Sequence, residues 1–238
     1  MKPVENNDKI NIITVVNKFD IYNKVIRDNN NVNHYPITVF DNRTEHSSIS
    51  KIYNNFISEK VYADSDFWCV FIHQDFGFNH DPYIVLADLD KNFIYGATGV
   101  NKYTQKLSFV SNRFRIKKLP VVIGQIKQIH DENNFSLDGL KLDKPEIVQT
   151  LDCCCLIVHS SLLNKYKLKF DENLTFHMYA EEFSINAKKT YNIDTKAVQF
   201  DCYHIGRGHI DEEFKKSVAY VKNKHKIRQI VSTTISYH

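Results

Sequence analysis

The chain's length, composition and charge are those of an ordinary globular protein. It has 238 residues, 42% of them hydrophobic and 25% charged, which is enough apolar material for a core and excludes global disorder. The 31 Lys and Arg residues nearly balance the 28 Asp and Glu residues, leaving a formal net charge of +3. A protein that binds nucleic acid mainly through phosphate contacts is usually more basic, so no nucleic-acid partner is expected.

The cysteines and the apolar runs predict a cytoplasmic protein. No apolar run approaches the roughly 20 residues that span a bilayer, and the first residues have no apolar signal core. Three of the five cysteines are consecutive, at residues 153–155, which is a poor disulfide framework, and no pair has the spacing of a zinc site. The cysteines are therefore expected to be small buried residues on strands.

The first part of the chain alternates between strand and helix patterns. Apolar, β-branched runs predict four strands, at residues 10–16, 35–40, 67–72 and 93–97. Helical patterns lie between them, at residues 21–26, 49–57 and 81–90. The clearest begins at Ile49, where apolar residues recur with helical spacing and Ser47 or Ser48 can cap the first turn. This alternation predicts a parallel sheet with helical crossovers, in which ligands bind where the strands end.

The rest of the chain is predicted to belong to the same domain, because no clean linker interrupts it. Short hairpin or edge strands are predicted at residues 107–110, 113–116 and 121–129, and later strands at residues 156–158 and 197–202. Helical patterns lie at residues 160–163, 179–189 and 211–225. One α/β domain with an extended sheet explains this pattern better than two independent domains.

Asp75 is the first candidate for chemistry, because it follows the buried third strand. A carboxylate at the end of such a strand can hold a divalent cation that bridges phosphate oxygens, since hard cations prefer oxygen ligands. His73 lies two residues earlier and would point the same way in an extended chain, so it could act as a ligand or a donor. The alternatives are a turn-forming aspartate and a structural histidine.

Glu181 and Glu182 lie in the first turn of the helix predicted from Tyr179. The helix dipole favours acidic residues in a first turn, which by itself can explain the pair. In the functional interpretation one of them is a general base that faces Asp75. Adjacent helical residues point about 100° apart, so only one of the two can do so.

Three polar loops supply the remaining candidates. Asn17 and Asp41 follow the first and second predicted strands, and Asp41 could bind a base or a ribose or cap its own turn. Arg207 lies between two glycines after His204, in a loop that could close over a diphosphate while His204 reaches a metal. A plain surface loop explains the same residues equally well.

Taken in order, these segments resemble the bacterial glycosyltransferases of the GT-A type, in the family 2 group. The sequence CVFIHQD, which ends at Asp75, lies where that family carries its DxD metal motif, with His73 in place of the first aspartate. The stretch from Leu151 to Glu182 contains LDCCCLIVHSSLL and LKFDENLTFHMYAEEF. These are similar to the family's Asp-led strand, its FDE segment and its helix with an opening acidic pair. His204 lies where many members place a late histidine near the metal.

The resemblance implies a GT-A fold, with a mostly parallel central sheet flanked by helices. It implies a domain over residues 1–210, with a nucleotide-binding half over 8–100 and an acceptor half over 101–210, followed by a helical tail over 211–238. The implied activity is transfer of a sugar from a nucleotide-diphosphate sugar to a hydroxyl of a glycan or lipid-linked acceptor, in surface polysaccharide or lipid-linked glycan synthesis.

The resemblance also implies roles for the candidate residues. Mn²⁺ or Mg²⁺ would be held by Asp75 and His204 and would neutralise the leaving diphosphate. Glu182 matches the position of the family's base, with Glu181 as the alternative, and one base opposite one leaving group predicts inversion. The residues implied in nucleotide-sugar binding are Asn17, Asp41, His73, Asp75 and Arg207.

The sequence leaves two rival interpretations open. One is an inactive member of the fold that binds a nucleotide sugar or a partner. The other is a nucleotidyltransferase, which usually has a glycine-rich basic loop after its first strand, whereas residues 17–20 contain no glycine.

The lysines of the tail permit peripheral contact with anionic lipid at the inner face of the membrane.

Overall fold

The computed structural model describes residues 9–110, 113–131, 133–206 and 210–233, with the backbone alone for residues 105–110 and 113–118. The described strands are β1 (Ile10–Val16), β2 (Ile37–Asp41), β3 (Trp68–His73), β4 (Phe76–Phe78), β5 (Ile94–Gly96), β6 (Gly99–Val110), β7 (Arg113–Ile123), β8 (Ile126–Asp131), β9 (Asn134–Asp138), β10 (Glu146–Val148), β11 (Thr150–Leu151), β12 (Cys155–His159), β13 (Thr195–Ala197) and β14 (Cys202–His204). The described helices are α1 (Phe19–Tyr22), continued by a π-helical turn (Asn23–Arg27), α2 (Ile49–Lys60), α3 (Tyr83–Leu86), α4 (Ser160–Tyr166), α5 (Tyr179–Tyr191) and α6 (Glu212–His225).

The largest sheet contains seven strands in the order β10-β13-β5-β12-β3-β1-β2. β1 pairs in parallel with β2 and β3, and β13 pairs in parallel with β5. β12 runs antiparallel between β3 and β5, and β10 runs antiparallel to β13. Five strands therefore share one direction and two oppose it, which makes a mixed, mostly parallel sheet.

The prediction of one continuous parallel sheet needs a correction at its fourth strand. β5 joins the sheet across β12 and not beside β1, β2 or β3. Every residue of β12 is buried, and a strand without a polar face needs neighbours on both edges and cover on both faces. β12 pairs with the open edge of β3, which gives it a neighbour on that side. β5 then pairs with the other edge of β12.

β3 lies between two layers of core. Phe71 packs into a cluster that contains side chains of α2, α4, α5 and α6, whereas Val70 packs into a second cluster with side chains of the π-helical turn and α3. The predicted burial of this strand on both faces is confirmed, because none of its first five residues is more than 4% exposed. The central sheet is thus flanked by helices.

The two clearest helix predictions are also confirmed. α2 begins after Ser48, whose Oγ accepts a hydrogen bond from the backbone N of Lys51 at 3.4 Å. The apolar stripe of α2 includes Tyr53 and Phe56, each 1% exposed. α5 begins at Tyr179 as predicted and ends at Tyr191. These helices place the candidate acids of α5 beside the ends of the sheet strands.

A four-stranded sheet, β4-β14-β8-β9, brings His204 towards Asp75. β14 pairs antiparallel with β4, which begins directly after Asp75, and parallel with β8. The single strand predicted at residues 197–202 is wrong, because that stretch divides between β13 and β14 in different sheets. Between β13 and β14, the side chain of Gln199 donates a hydrogen bond to the backbone O of Gln125 at 3.0 Å. That carbonyl is therefore bonded to a side chain and not to the backbone of a continuous strand.

A long hairpin dominates the third sheet, β11-β6-β7. The strands predicted at residues 107–110 and 113–116 are the outer part of β6 and β7, whose backbones pair from Gly99 with Ile123 to Val110 with Arg113. The single strand predicted at residues 121–129 is wrong, because it divides between the end of β7 and the start of β8. β7 ends where Gly124 adopts a φ of +87°, and a Cβ at Gly124 would overlap the carbonyl O of Ala97. That glycine therefore separates β7 from β8.

α6 packs into the body of the protein. Asp211 caps it, with its Oδ1 accepting a hydrogen bond from the backbone N of Phe214 at 2.7 Å. Phe214, Val218 and Val221 join the same core cluster as Phe71. Among the helices of the described ranges, none combines the length and the apolar character needed to cross a membrane.

Candidate active site

His73, Asp75 and His204 converge where β3 and β14 end. Their candidate ligand atoms all lie within 4.8 Å of one another. The backbone N of Ile205 donates to the O of Asp75 at 3.0 Å, which holds the two chain segments together. Gly206 completes the approach, because a Cβ at this position would overlap Oδ2 of Asp75. The three residues that the sequence marks as a possible metal site therefore meet.

Tyr179 determines which ring nitrogen of His73 carries the proton. Its Oη donates to the backbone O of Cys153 at 2.9 Å, and this uses the only proton of the hydroxyl. Nε2 of His73 lies 3.0 Å from the same Oη, so the imidazole must be the donor in that hydrogen bond. The lone pair of His73 is then on Nδ1, where it can bind a metal.

Gln128 determines the tautomer of His204 in a similar way. Its Nε2 donates to the backbone O of His204 at 3.1 Å and to the backbone O of Gly206. Its Oε1 is therefore the acceptor for Nδ1 of His204, at 3.2 Å. Nε2 of His204 is left buried and facing Oδ1 of Asp75 at 3.3 Å, and no described residue forms a hydrogen bond with it.

The protonation states of His73 and Asp75 suit a cation, whereas His204 must lose a proton to bind one. Burial lowers the pKa of His73, although Asp75 acts in the opposite direction. Burial also disfavours the charged form of Asp75, but His204 beside it brings the pKa of Asp75 below its ordinary value. The same pairing raises the pKa of His204 against the effect of burial. A neutral His73 and an ionised Asp75 are the forms that bind a metal.

The donor set fits a divalent cation on two grounds. Nε2 of His204 is an orphaned buried atom directed at Asp75. Both imidazoles are oriented by hydrogen bonds through their other nitrogen, which is the usual arrangement around metal-binding histidines. Two imidazole nitrogens and one carboxylate favour Mn²⁺ over Mg²⁺, because Mg²⁺ prefers an all-oxygen shell.

A cleft of about 330 Å³, here called the smaller cleft, opens where β1 and β3 end. Gln74 organises its floor: its Oε1 accepts from the backbone N of Asn17 at 3.0 Å and of Lys18 at 2.8 Å. Its Nε2 donates to Oδ1 of Asn17 at 2.7 Å. The lining residues that bear polar side chains are Asn17, Asn42, His46, Ser47, His73, Gln74, Asp75 and Thr175.

Asp41 stands apart from that lining. Its Oδ2 lies 2.6 Å from Nη2 of Arg43, and both side chains are about half exposed, at 47% and 58%. The next residue, Asn42, lines the smaller cleft instead. Its side chain bonds to the backbone of Ser47, donating to the O at 3.0 Å and accepting from the N at 2.6 Å.

A second cleft of about 490 Å³, here called the larger cleft, shares His73, Asp75 and Phe176 with the smaller one. It extends to Asp152, Glu181 and His204. The two clefts therefore lie on either side of the candidate metal cluster and meet there.

Glu181 lines the larger cleft and has one carboxylate oxygen without a partner among the described residues. Its side chain is buried, with the residue 4% exposed. Ser232 Oγ donates to Oε1 at 2.6 Å, whereas Oε2 is buried and has no hydrogen-bond partner in the described part of the chain. Burial raises the pKa of Glu181 to about 7; the hydrogen bond from Ser232 opposes this effect, and the nearby charge of Asp152 adds a smaller upward contribution. Such a carboxylate can accept a proton near neutral pH.

Glu182 points elsewhere. Its Oε1 lies 2.7 Å from Nζ of Lys224 and 3.0 Å from Nε2 of His225, both at the end of α6. Glu182 itself is 0% exposed. Of the two neighbouring acids, Glu181 lines the larger cleft and Glu182 ties α5 to α6.

The outcome differs among the residues that the sequence identified. His73, Asp75, His204, Asn17 and Glu181 line the two clefts, and Arg207 lies outside the described residues. Residue-by-residue reasoning missed Gln74, Gln128, Tyr179 and Ser232. Gln74 lies between His73 and Asp75 in the HQD segment, and this position is the feature of the sequence that could have identified it. The other three act through the fold and carry no local pattern.

No protein-family model and no curated protein sequence matches this chain. Among solved structures, it is similar to S. aureus TarS 1-349 in complex with UDP, with a TM-score of 0.53 and 12% identity over 91% of this chain and 65% of that one. It is also similar to GalNAc-T7 with UDP, GalNAc and Mn²⁺, with a TM-score of 0.50 and 10% identity over 92% of this chain and 48% of that one.

The chain thus spans about half to two thirds of the length of these neighbours. At such low identity the likeness shows the fold. The chain has the mixed α/β fold of the GT-A glycosyltransferases, with a multi-stranded central sheet flanked by helices, and the expected fold class is confirmed.

Proposed function

We propose that this chain is a glycosyltransferase that moves a sugar from a nucleotide-diphosphate sugar to a hydroxyl acceptor. The observation that carries the proposal is the pair of clefts that share His73 and Asp75, with Glu181, whose Oε2 has no partner among the described residues, lining the larger one. A donor in one cleft and an acceptor in the other would bring the two reacting atoms together beside the candidate metal cluster.

The smaller cleft is the donor side in this proposal. Its amide and hydroxyl groups can bond to a base and a ribose, and its inner end reaches Asp75 and His73. Its position at the ends of parallel strands is where this class of sheet binds ligands. The TarS and GalNAc-T7 structures hold UDP, which supports a uridine nucleotide as the first donor to test.

His73, Asp75 and His204 would hold the divalent cation. A bound Mn²⁺ would neutralise the charge that develops on the leaving diphosphate. Tyr179 and Gln128 keep the two imidazoles in the ligand tautomer. Asp75 supplies the negative charge that pairs with the cation.

Glu181 is the proposed base. Its Oε2 accepts the proton of the acceptor hydroxyl while the hydroxyl oxygen forms a bond to the anomeric carbon, and the bond from that carbon to the diphosphate oxygen breaks. Attack from the side opposite the leaving group inverts the anomeric centre. A positioned base of this kind contributes about 10²–10⁴-fold to the rate.

The resemblance to family 2 extends the proposal to its setting. It supports a role in surface polysaccharide or lipid-linked glycan synthesis, in the cytoplasm or at the inner face of the membrane. The lysines of α6 support contact with anionic lipid.

A thermal-shift screen with UDP-, GDP-, CMP- and dTDP-linked ligands, with and without Mn²⁺, tests the donor class. We expect one nucleotide to raise the melting temperature in the presence of Mn²⁺, because a ligand that binds only the folded state stabilises it. The Asp75→Ala variant should lose the Mn²⁺-dependent part. If none of the nucleotides shifts the wild type, the donor assignment fails.

Turnover of the donor that binds then tests the base. Glu181→Gln should reduce transfer or donor hydrolysis by about 10²–10⁴-fold. Glu182→Gln should leave more activity than Glu181→Gln, because its carboxylate lies in ion pairs with α6. Equal activity of Glu181→Gln and wild type contradicts the proposed role.

An inactive nucleotide-sugar-binding protein is the second candidate. The observation that favours it is the placement of Glu182, which matches the family's base but is bound to Lys224 and His225. This candidate predicts the same thermal shifts with no turnover in the wild type.

A further inference from the structure

The chain beyond α6 runs along the wall of the larger cleft. Residues 226–233, here called the strap, follow α6 directly. Oη of Tyr103 donates to the backbone O of Ile230 at 2.8 Å and accepts from the backbone N of Ser232 at 3.3 Å. Thr150 Oγ1 donates to the backbone O of Val231 at 2.5 Å. The strap is therefore held in one register against β6 and β11.

The end of the strap reaches two acids of the larger cleft. Ser232 is 0% exposed and donates to Oε1 of Glu181 at 2.6 Å. Thr233 Oγ1 donates to Oδ2 of Asp152. Both acids line the cleft, and both contacts cross more than fifty positions of sequence.

The other acid of the pair holds the helix that leads into the strap. Glu182 binds Lys224 and His225, the last residues of α6. Ile230 then buries its side chain in the core, at 3% exposed. The two adjacent glutamates are thus joined through one stretch of chain: Glu182 fixes its start, and Ser232 returns from its end to Glu181.

We infer that the strap is a working part of the active site, with Ser232 as the positioning residue for Glu181. This inference rests on the proposed function, in which Glu181 is the base. By occupying Oε1, Ser232 restricts rotation of the carboxylate and leaves Oε2 as the oxygen that can accept a proton, on a side chain that lines the larger cleft. Among the described residues, no other side chain donates a hydrogen bond to the Glu181 carboxylate.

Ser232 also affects the proton affinity of Glu181. A donated hydrogen bond stabilises the ionised carboxylate. The charged or titratable groups that face Glu181 are Asp152 and Cys153, whereas Lys224 and His225 of α6 are bound to Glu182. Loss of the Ser232 hydroxyl would therefore make Glu181 harder to ionise, and the neighbouring acid would reinforce that effect.

The test is a pH titration of the glutamate side-chain carbons by ¹³C NMR, with the Glu181 signal assigned from the Glu181→Gln variant. Ser232→Ala should move the Glu181 midpoint upward by about 0.5–1 pH unit, which reflects how much more strongly a hydroxyl bonds to an ionised than to a neutral carboxyl group. Ser232→Cys, which retains a weak donor of similar shape, should give a smaller shift and serves if the alanine variant does not fold.

Ser160→Ala is the matched control. Ser160 is also 0% exposed and donates a hydrogen bond, to the backbone O of Ser65 at 2.8 Å, but it lies beyond the end of β12 that is remote from the cleft. It should lower stability without moving the Glu181 midpoint. A Glu181 midpoint that is the same in wild type, Ser232→Ala and Ser232→Cys overturns the inference.

Turnover separates this inference from the proposed function. With the donor found by thermal shift, Ser232→Ala should lower kcat and move the pH limb of kcat upward while KM for the donor stays unchanged. If the wild type turns over no nucleotide sugar, the proposed function fails. The NMR titration then still decides whether Ser232 controls the Glu181 carboxylate.

Discussion

Oη of Tyr179 lies 3.0 Å from Nε2 of His73 and donates its own proton to the backbone O of Cys153. Removing that hydroxyl frees the imidazole to take the wrong tautomer. We expect Tyr179→Phe to weaken Mn²⁺ binding by about 10- to 100-fold, the usual effect of losing a partner of a metal-binding histidine. Titration of Mn²⁺ followed by electron paramagnetic resonance measures this.

Tyr95→Phe is the control for that experiment. Tyr95 is equally buried, at 1% exposed, and its Oη donates to the backbone O of Asp90 at 2.9 Å. It should bind Mn²⁺ as the wild type does. Unchanged Mn²⁺ affinity in Tyr179→Phe would show that His73 does not depend on the hydroxyl.

Glu181 should destabilise the folded protein as pH rises. Its pKa is raised from 4.5 to about 7 by burial, so ionisation costs more in the folded state than in the unfolded state. Glu181→Gln should therefore gain free energy of unfolding over the wild type between pH 4.5 and 7, reaching about 3 kcal/mol above that window. Urea denaturation at pH 4 and pH 8 measures the difference, and an equal difference at both pH values contradicts the shift.

The same pKa predicts the pH dependence of turnover. A base that must be ionised is active above its pKa, so kcat should rise as pH increases through about 7. An activity that is constant from pH 5 to 9 would remove Glu181 from the chemistry.

Glu182→Gln should act on stability. It removes the charge that Lys224 and His225 share, although Lys224 keeps Asp171 at 2.7 Å. Because Lys224 is about one third exposed and keeps Asp171, we expect a loss of about 1–3 kcal/mol, less than that for a fully buried pair. Glu212→Gln, at an exposed pair with Lys215 on the same helix, should change the free energy of unfolding little. Similar effects of the two variants would argue against the buried network.

Gln74→Ala should weaken nucleotide binding without affecting the metal. The variant loses the contacts that hold the loop at Asn17 and Lys18. We expect about a tenfold lower affinity for UDP, the equivalent of one or two hydrogen bonds, with Mn²⁺ affinity unchanged. Calorimetry measures both, with Gln149→Ala, at an exposed glutamine remote from the clefts, as control. Undiminished UDP binding would contradict this role of Gln74.

Local pattern predicted the scaffold of this site well. The apolar runs of β1 and β3 and the helical spacing after Ser48 depend on neighbouring residues, and those elements lie where they were expected. His73 and Asp75 share a strand end, so their proximity also follows from short-range geometry. Their meeting with His204 was anticipated through the resemblance, and the pairing of β14 with β4 is its structural cause.

Long-range contacts decided what pattern could not. Whether Glu181 or Glu182 faces the cleft depends on α6, which supplies Lys224 and His225 more than forty positions later. The place of β5 depends on β12, about sixty positions further along. Asp41 differs from these examples because its partner is local: Arg43, only two positions away, forms an ion pair with it. No periodicity in a single sequence encodes such pairings.

The insertion of β12 between β3 and β5 also limits how the protein can assemble during synthesis. Until the ribosome has released residues up to His159, the edge of β3 that will pair with β12 has unpaired backbone N–H and C=O groups, and β5 has no strand to bind on that side. Such an edge is a template for aggregation. A nascent chain stalled near residue 150 should therefore depend on chaperones. The parts of the chain before and after that point should not fold when they are expressed separately.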